Sequence, residues 1–146
     1  MSELVYVLNG SNLNMLGKRE PHLYGHTTLA QVEADVTALA ETLGLRCDFR
    51  QTNSEAEMVG WLQEAYEKDA GVVLNPAGFS FFSVPVLDAA KLLVRPLVEV
   101  HITNIHKREE LYRHSLISTV ATGVIAGLGV QGYALALHAM AQLLRS

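Results

Sequence analysis

Residues 4–25 read LVYVLNGSNLNMLGKREPHLYG, an apolar run followed by a loop that is rich in glycine and polar side chains. The run is typical of a buried parallel strand, and loops that leave such strands in α/β proteins commonly carry ligands and chemistry. Within the loop, Arg19 precedes Tyr24 by five residues. A permanent cation near a phenol favours the phenolate and would make Tyr24 a usable base. The alternative is a surface tyrosine beside an incidental arginine.

The rest of the chain alternates between strand and helix patterns. Ser54 and Glu57 have the spacing of a capping box, and apolar residues in the segment 28–43 recur with the 3.6-residue period of a helix. The alternation predicts one α/β domain over residues 1–146, with a three-layer flavodoxin-like fold, a five-stranded parallel sheet and helices on both faces. Strands are predicted at residues 4–9, 45–51, 71–75, 97–102 and 120–125, and helices at residues 28–43, 54–68, 83–93 and 131–144.

The predicted sheet would bring three loops to one edge. Residues 9–24, 75–82 and 101–108 all begin at the carboxyl end of a predicted strand, where α/β proteins place their sites. Residues 127–132, GLGVQG, match a dinucleotide-binding fingerprint, but only fourteen residues follow them. The second strand and the ribose-binding acid of that motif cannot exist there, so these glycines predict a tight turn into the last helix.

Composition narrows the function classes. Apolar residues make up 49% of the chain and charged residues 18%, a slight apolar excess that favours a homo-oligomer. The net charge of −4 argues against nucleic-acid binding, yet it leaves room for a small anionic substrate in a locally positive pocket. The lone Cys47 indicates a reducing cytoplasm, and no signal peptide is expected. No apolar run reaches the roughly 18 residues that span a membrane, and the histidines lack metal-ligand spacing.

Four segments match the sequence blocks of one enzyme family. They are residues 8–25, close to LNGPNLNxLGxREPxxYG; residues 51–57, QTNSEAE, close to QSNxEGx; residues 98–109, VEVHITNIHKRE, close to VEVHxSNxHxRE; and residues 121–133, ATGVIAGLGVQGY. The chain therefore resembles the type II 3-dehydroquinate dehydratases over nearly its whole length. The resemblance implies a hydro-lyase of the shikimate pathway that needs no metal or cofactor. Its substrate 3-dehydroquinate, a small anionic cyclic keto-acid, would lose water through an enolate and give 3-dehydroshikimate.

The resemblance also implies roles for the reacting groups. Tyr24 would abstract the proton beside the ketone, and Arg19 would keep Tyr24 anionic. Asn12 would hold a water against the developing enolate oxygen, as preorganised donors do. His101 would protonate the departing hydroxyl, with its ring oriented by Glu99, which lies one β-period earlier on the same side of the strand. An acid and a base on separate loops suit an enolate-forming elimination.

A second set of residues would bind the substrate. Asn75 and the backbone N–H groups of Ile102 and Thr103 would hold its carboxylate, and Arg108 would organise a lid loop. The family forms dodecamers, which are tetramers of trimers, and Asp88 of a neighbouring subunit would enter each site. Taken singly, each of these residues also has a structural interpretation, such as a turn asparagine, a strand-end cap, a core histidine with its partner or a solvated arginine.

The chain departs from the family pattern where the family grips the substrate hydroxyls. Phe81 and Phe82 stand in place of a histidine and a threonine, Leu87 in place of an arginine, and Tyr112 in place of another arginine, although Arg113 follows. The sequence leaves open whether the phenylalanines line the pocket or a subunit interface. In one hypothesis Tyr112 and Arg113 substitute for the lost groups. In another, the substrate is a less hydroxylated or apolar-substituted cyclic β-hydroxyketone of a secondary pathway, because unpaired buried hydroxyls are costly. A third, a catalytically dead binding or scaffold paralogue, fits poorly with the retained acid and base.

Overall fold

A parallel β-sheet forms the centre of the protein, which a computed structural model describes over residues 2–146. Its strands are all parallel and follow the order β2-β1-β3-β4-β5. The chain order reverses between β1 and β3, which is the topological switch point of the flavodoxin-like fold. The predicted fold class is therefore confirmed. The strands are β1 (Glu3–Asn9), β2 (Leu45–Gln51), β3 (Gly71–Asn75), β4 (Leu97–His101) and β5 (Gly123–Ala126).

Helices cover both faces of the sheet. Successive residues of β1 point to opposite faces, so Val5 and Val7 pack beneath α2 and α6, whereas Tyr6 and Leu8 pack beneath α3 and α5. Within residues 2–146, no helix combines the length and apolarity that a bilayer crossing requires. The helices are α1 (Pro21–Tyr24), α2 (Leu29–Thr42), α3 (Glu55–Glu67), α4 (Phe79–Phe82), α5 (Val84–Ala90) and α6 (Gln131–Leu144), with short 3-10 turns at Leu13–Met15, Ile105–Lys107, Glu110–Tyr112 and Ile117–Thr119.

The fifth strand starts later than its apolar residues predicted. Residues 117–119 form a 3-10 turn, and the N–H groups of Val120 and Ala121 both donate to the carbonyl of Ile117. The Thr122 N–H then donates to the Leu97 carbonyl at 2.7 Å, which opens the pairing with β4. The boundary predicted at residue 120 was wrong because Val120 and Ala121 belong to this turn. From there they pack against the sheet face that α3 and α5 cover.

Helix caps explain two further boundaries. Thr28 and Gln31 form a complete capping box at the start of α2. At the start of α3, the Ser54 hydroxyl accepts from the Glu57 N–H at 3.2 Å, but the Glu57 carboxylate accepts from the Thr52 hydroxyl. Only half of the capping box predicted there is therefore present.

Candidate active site

A cleft of about 170 Å³ opens at the carboxyl ends of β1, β3 and β4. This edge includes the switch point between β1 and β3, where open α/β sheets bind ligands. The three loops predicted to meet here do so, and most of the predicted site residues line the cleft. The loop after β1 supplies Asn12, Arg19 and Tyr24, the segment after β3 supplies Asn75 and Phe81, and the segment that ends β4 supplies His101, Ile102, Thr103, Arg108 and Tyr112.

Two arginines contact Tyr24, but they contact different parts of it. The Arg108 Nη1 atom donates a hydrogen bond of 3.1 Å to the phenolic oxygen. The Arg19 guanidinium lies 5.3 Å from the ring centroid and forms an ion pair of 3.3 Å with Glu20. The cation that bonds the phenolic oxygen is therefore Arg108, which the sequence assigned to the lid, and Arg19 covers the ring.

The His101 ring is hydrogen-bonded to the buried carboxylate of Glu99. Glu99 is fully buried, and its carboxylate accepts hydrogen bonds from His101, from Ser115 at 2.5 Å and from Ser118 at 2.7 Å. Burial raises the pKa of Glu99, but the hydrogen bonds from His101, Ser115 and Ser118 and the charge of His101 outweigh burial and lower that pKa below its usual value. The lowered pKa favours the ionised form of Glu99, and its carboxylate contacts the imidazole from the same side of β4.

A buried hydrogen-bond chain positions Asn75. Its Nδ2 atom donates to the Tyr133 hydroxyl at 2.9 Å, which in turn donates to the Asn9 side-chain oxygen at 2.7 Å. Burial raises the pKa of the Tyr133 hydroxyl, so this group stays neutral and serves as both donor and acceptor. Sequence reasoning missed Tyr133. Its available signal was that Asn9 and Asn75, the ends of β1 and β3, pair in register, so one polar side chain from α6 serves both.

The cleft wall beyond β4 presents main-chain donors. No acceptor in residues 2–146 takes the N–H groups of Ile102 and Thr103, although the Ile102 carbonyl accepts from Gly129 at 3.1 Å. Across the cleft, Asn12 and Ala77 have positive φ angles of 68° and 50°. Such backbone conformations are uncommon for residues other than glycine and concentrate at functional sites.

Known proteins resemble this chain in both sequence and fold. The family model described as class II dehydroquinase matches residues 3–141. The chain belongs to the class II dehydroquinase family. It is 56% identical over 137 residues to a 3-dehydroquinate dehydratase of Salinispora tropica, covering 94% of this chain and 96% of the relative. It is 51% identical over 140 residues to 3-dehydroquinate dehydratase 2 of Agrobacterium fabrum, covering 96% and 95%. The crystal structure of type II dehydroquinase from Propionibacterium acnes superposes with a TM-score of 0.95 at 46% identity, covering 97% of this chain and 98% of that one.

The dehydroquinase cleft of this chain contains one of its two unusual phenylalanines. The Phe81 ring lies on the cleft wall, with its centroid 5.5 Å from the Tyr112 ring and 6.3 Å from the His101 ring. The Phe82 side chain lies outside this cleft and is 69% exposed. Of the two positions that the sequence left open, Phe81 therefore lines the pocket, and Phe82 lies outside it on the surface of its own subunit.

Two predicted substrate-binding residues, Asp88 and Arg113, do not line the cleft of their own chain. The exposed Asp88 carboxylate lies on α5, 3.8 Å from the Lys91 ammonium. The Arg113 guanidinium donates to the Arg108 carbonyl and lies 3.5 Å from the Glu110 carboxylate. Arg113 thus braces the turn that carries Arg108 and is not among the residues that line the cleft.

Proposed function

We propose that this protein removes water from 3-dehydroquinate to give 3-dehydroshikimate, through an enolate and without a metal or cofactor. The observation that carries the proposal is the pairing of two groups across one cleft. Tyr24, bonded by a guanidinium, enters from the loop after β1, and His101, bonded by an ionised carboxylate, enters at the end of β4. The curated relatives cited above, which share about half of their residues with this chain, are named 3-dehydroquinate dehydratases.

Tyr24 is proposed as the base. As phenolate, it takes the proton from the carbon next to the ketone, and the electron pair of that C–H bond forms the enolate. The Arg108 hydrogen bond stabilises the negative phenolic oxygen. The exposed Asn12 side chain, on a loop fixed by a hydrogen bond of 2.9 Å from its own N–H to Asn53, holds a water against the enolate oxygen.

His101 is proposed as the acid. It donates a proton to the β-hydroxyl as the C–O bond breaks, so that the hydroxyl leaves as water and the enolate electrons form the new ring double bond. The Glu99 carboxylate stabilises the protonated imidazole that begins this step and fixes its direction. The protons taken by Tyr24 and given by His101 balance over one turnover.

The substrate carboxylate is proposed to bind at the other side of the cleft. The N–H groups of Ile102 and Thr103 are available there as main-chain donors. Asn75 adds its second amide N–H, since its first is committed to Tyr133. An anchored carboxylate would hold the ring so that the ketone side faces Tyr24 and the β-hydroxyl faces His101.

The test is turnover of 3-dehydroquinate by the purified protein, followed by the ultraviolet absorbance of the conjugated enone. We expect Tyr24→Phe to lower kcat by about 10³-fold or more, because the phenol is the base. The same variant should still bind a non-reacting cyclic carboxylate in calorimetry. A parent protein that binds this carboxylate without any turnover would support the dead paralogue and contradict the proposal.

A second candidate is favoured by one observation, the aromatic wall made by Phe81 and Tyr112. This wall offers a single hydroxyl where the family pattern has a histidine and an arginine. A ring that carries fewer hydroxyls, or an apolar substituent, would leave fewer polar groups unpaired against it. Higher kcat/KM for such a cyclic β-hydroxyketone than for 3-dehydroquinate would establish this second function with the same acid and base.

We further propose a trimer-based dodecamer, in which Asp88 serves the cleft of a neighbouring copy. Its support is that Asp88 is exposed and lies outside its own cleft, together with the exposed Phe82 at the end of α4 and Val84 at the start of α5. Sedimentation of the purified protein tests the assembly. A purified protein that sediments as a monomer and still turns over 3-dehydroquinate would contradict it.

A further inference from the structure

Two of the three aromatic departures from the family pattern, Phe81 and Tyr112, touch each other. Phe81 comes from α4 and Tyr112 from a 3-10 turn thirty-one residues later, yet their rings meet at 5.5 Å with planes at 79°. This is the edge-to-face arrangement that aromatic pairs prefer. Because the Phe81 and Tyr112 rings contact each other, the effects of mutating these two residues should be coupled.

Tyr112 also stacks on the guanidinium of Arg108. The Arg108 Cζ atom lies 4.6 Å from the centroid of the Tyr112 ring, compared with 6.0 Å from that of Tyr24. A guanidinium over a tyrosine face is attracted by the ring quadrupole, and the attraction grows when the pair is shielded from water. The Arg108 side chain is only 13% exposed, so this contact is largely shielded.

Little else fixes the plane of the Arg108 guanidinium. Its Nε atom is buried and has no hydrogen-bond partner within residues 2–146, and Nη2 lies 3.9 Å from the exposed Glu109 carboxylate. Its one hydrogen bond given by the structure is the bond from Nη1 to the Tyr24 oxygen. The Tyr112 face is therefore the main contact that could keep Nη1 directed at Tyr24.

The backbone keeps the stacked groups together. The Tyr112 N–H donates to the Glu109 carbonyl at 2.8 Å, and the Arg113 guanidinium donates to the Arg108 carbonyl. Both bonds close the turn that carries Arg108 and Tyr112. Phe81 then packs against the Tyr112 ring of that turn.

We propose that Tyr112, supported edge-on by Phe81, is a positioning residue that holds the Arg108 guanidinium on the oxygen of Tyr24. This inference rests on the proposed function, in which Tyr24 is the base. Phe81 and Tyr112 would then have a role of their own in place of the polar contacts that the family pattern has at these two positions. The side chains no longer offer a histidine and an arginine to the substrate, but they order the cation that activates the base.

The test compares Tyr112→Leu, which removes the ring face, with Tyr112→Phe, which keeps it. We expect Tyr112→Leu to lower kcat about 3- to 30-fold, with KM within about twofold of the parent, and to move the acid limb of the kcat/KM profile to higher pH. Tyr112→Phe should return kcat to within about threefold of the parent. The charged groups that face Tyr24, Arg19 and Arg108 with their partners Glu20 and Glu109, are unchanged in both variants.

Phe81 supplies a second arm. Phe81→Leu should lower kcat less than Tyr112→Leu does, and the double variant should be no worse than Tyr112→Leu alone, because both act through one contact. Fully additive losses would contradict the coupling. An increase in KM at unchanged kcat in Tyr112→Leu would show that the ring is only a wall for the substrate, and would overturn the proposal.

A readout without turnover separates this inference from the proposed function. The near-ultraviolet absorbance of tyrosinate is titrated without substrate in each Tyr112 variant. The signal of the same variant carrying Tyr24→Phe is then subtracted, which isolates the contribution of Tyr24. The isolated signal should develop at higher pH in Tyr112→Leu than in Tyr112→Phe. An identical titration in the two variants overturns the positioning role even if the enzyme is active. A shifted titration supports it even if 3-dehydroquinate is not turned over.

Discussion

The two ends of the cleft are built from different interactions. At the β4 end, the fully buried Glu99 accepts three side-chain hydrogen bonds, and Tyr133 joins the tips of β1 and β3. At the α4 end, Phe81 and Tyr112 meet through ring contacts. Buried polar networks fail when one member is removed, whereas ring contacts tolerate exchange. Side chains at the β4 end are therefore held by specific polar partners, whereas the ring contacts at the α4 end can accept exchanges of similar shape.

The most severe way to break the polar end is to neutralise Glu99. Glu99→Gln keeps the size of the side chain but removes the charge that stabilises the protonated His101. We expect kcat to fall about 10²- to 10⁴-fold with a smaller change in KM, by analogy with the loss of an orienting carboxylate behind a catalytic histidine. Steady-state kinetics with circular dichroism as a folding control measures this, and a variant with more than a tenth of parental kcat would contradict the assignment.

The next largest effect should come from Tyr133→Phe. The change leaves the Asn9 oxygen and one Asn75 N–H buried without their partner, at a cost of about 1–3 kcal/mol for each group. We expect a lower free energy of unfolding in denaturant titration and a higher KM, since Asn75 loses one of its two side-chain hydrogen bonds and keeps only the one from the Ala77 N–H. Tyr66→Phe, at a tyrosine that is 44% exposed, is the matched control and should leave both quantities unchanged.

These networks also mark the limit of what the sequence predicts. The strands β1 to β4 were predicted within about a residue at each end. For β1, β3 and β4 the signal is a continuous apolar run with a polar end, as in buried parallel strands. The edge strand β2, LRCDFRQ, is instead largely half-buried and alternates between polar and apolar residues. Tyr133 was missed because its partner Asn75 lies 58 residues away, and no local pattern encodes such a contact. The sequence predicted that Arg19, five residues away, is the cation beside the Tyr24 phenol. The hydrogen bond to the phenolic oxygen comes instead from Arg108, 84 residues away.

The aromatic end yields a smaller and opposite prediction. Phe81→His keeps a ring beside Tyr112 and adds a polar group that can bond a substrate hydroxyl. If that wall limits recognition of 3-dehydroquinate, kcat/KM for this substrate should rise about tenfold, which corresponds to one recovered hydrogen bond. Phe82→His, at the neighbouring phenylalanine outside the cleft of its own subunit, should give no such gain. No gain in Phe81→His would mean that the wall does not limit this reaction.

The smallest effect is expected from a change of pH. The pKa of Glu99 is lowered in the folded protein: burial opposes this shift, but the hydrogen bonds from His101, Ser115 and Ser118 and the charge of His101 outweigh it. A carboxyl whose folded pKa lies below its unfolded value of about 4.3 adds stability above that pH, and the stability is lost as pH falls through the folded pKa. We therefore expect the free energy of unfolding to decrease on acidification below about pH 4.3.

Comparison with two variants isolates the contribution of Glu99 to this acid dependence. Glu99→Gln should flatten the curve, because the group that takes up a proton on unfolding is gone. Glu110 also has a lowered pKa, caused by its hydrogen bond to His114, but both side chains are 76% exposed, so solvent screens the pair. Glu110→Gln should therefore flatten the curve much less. Equal flattening in both variants would show that burial does not distinguish the two carboxylates, and would remove the physical basis for treating the polar end as the one held by specific partners.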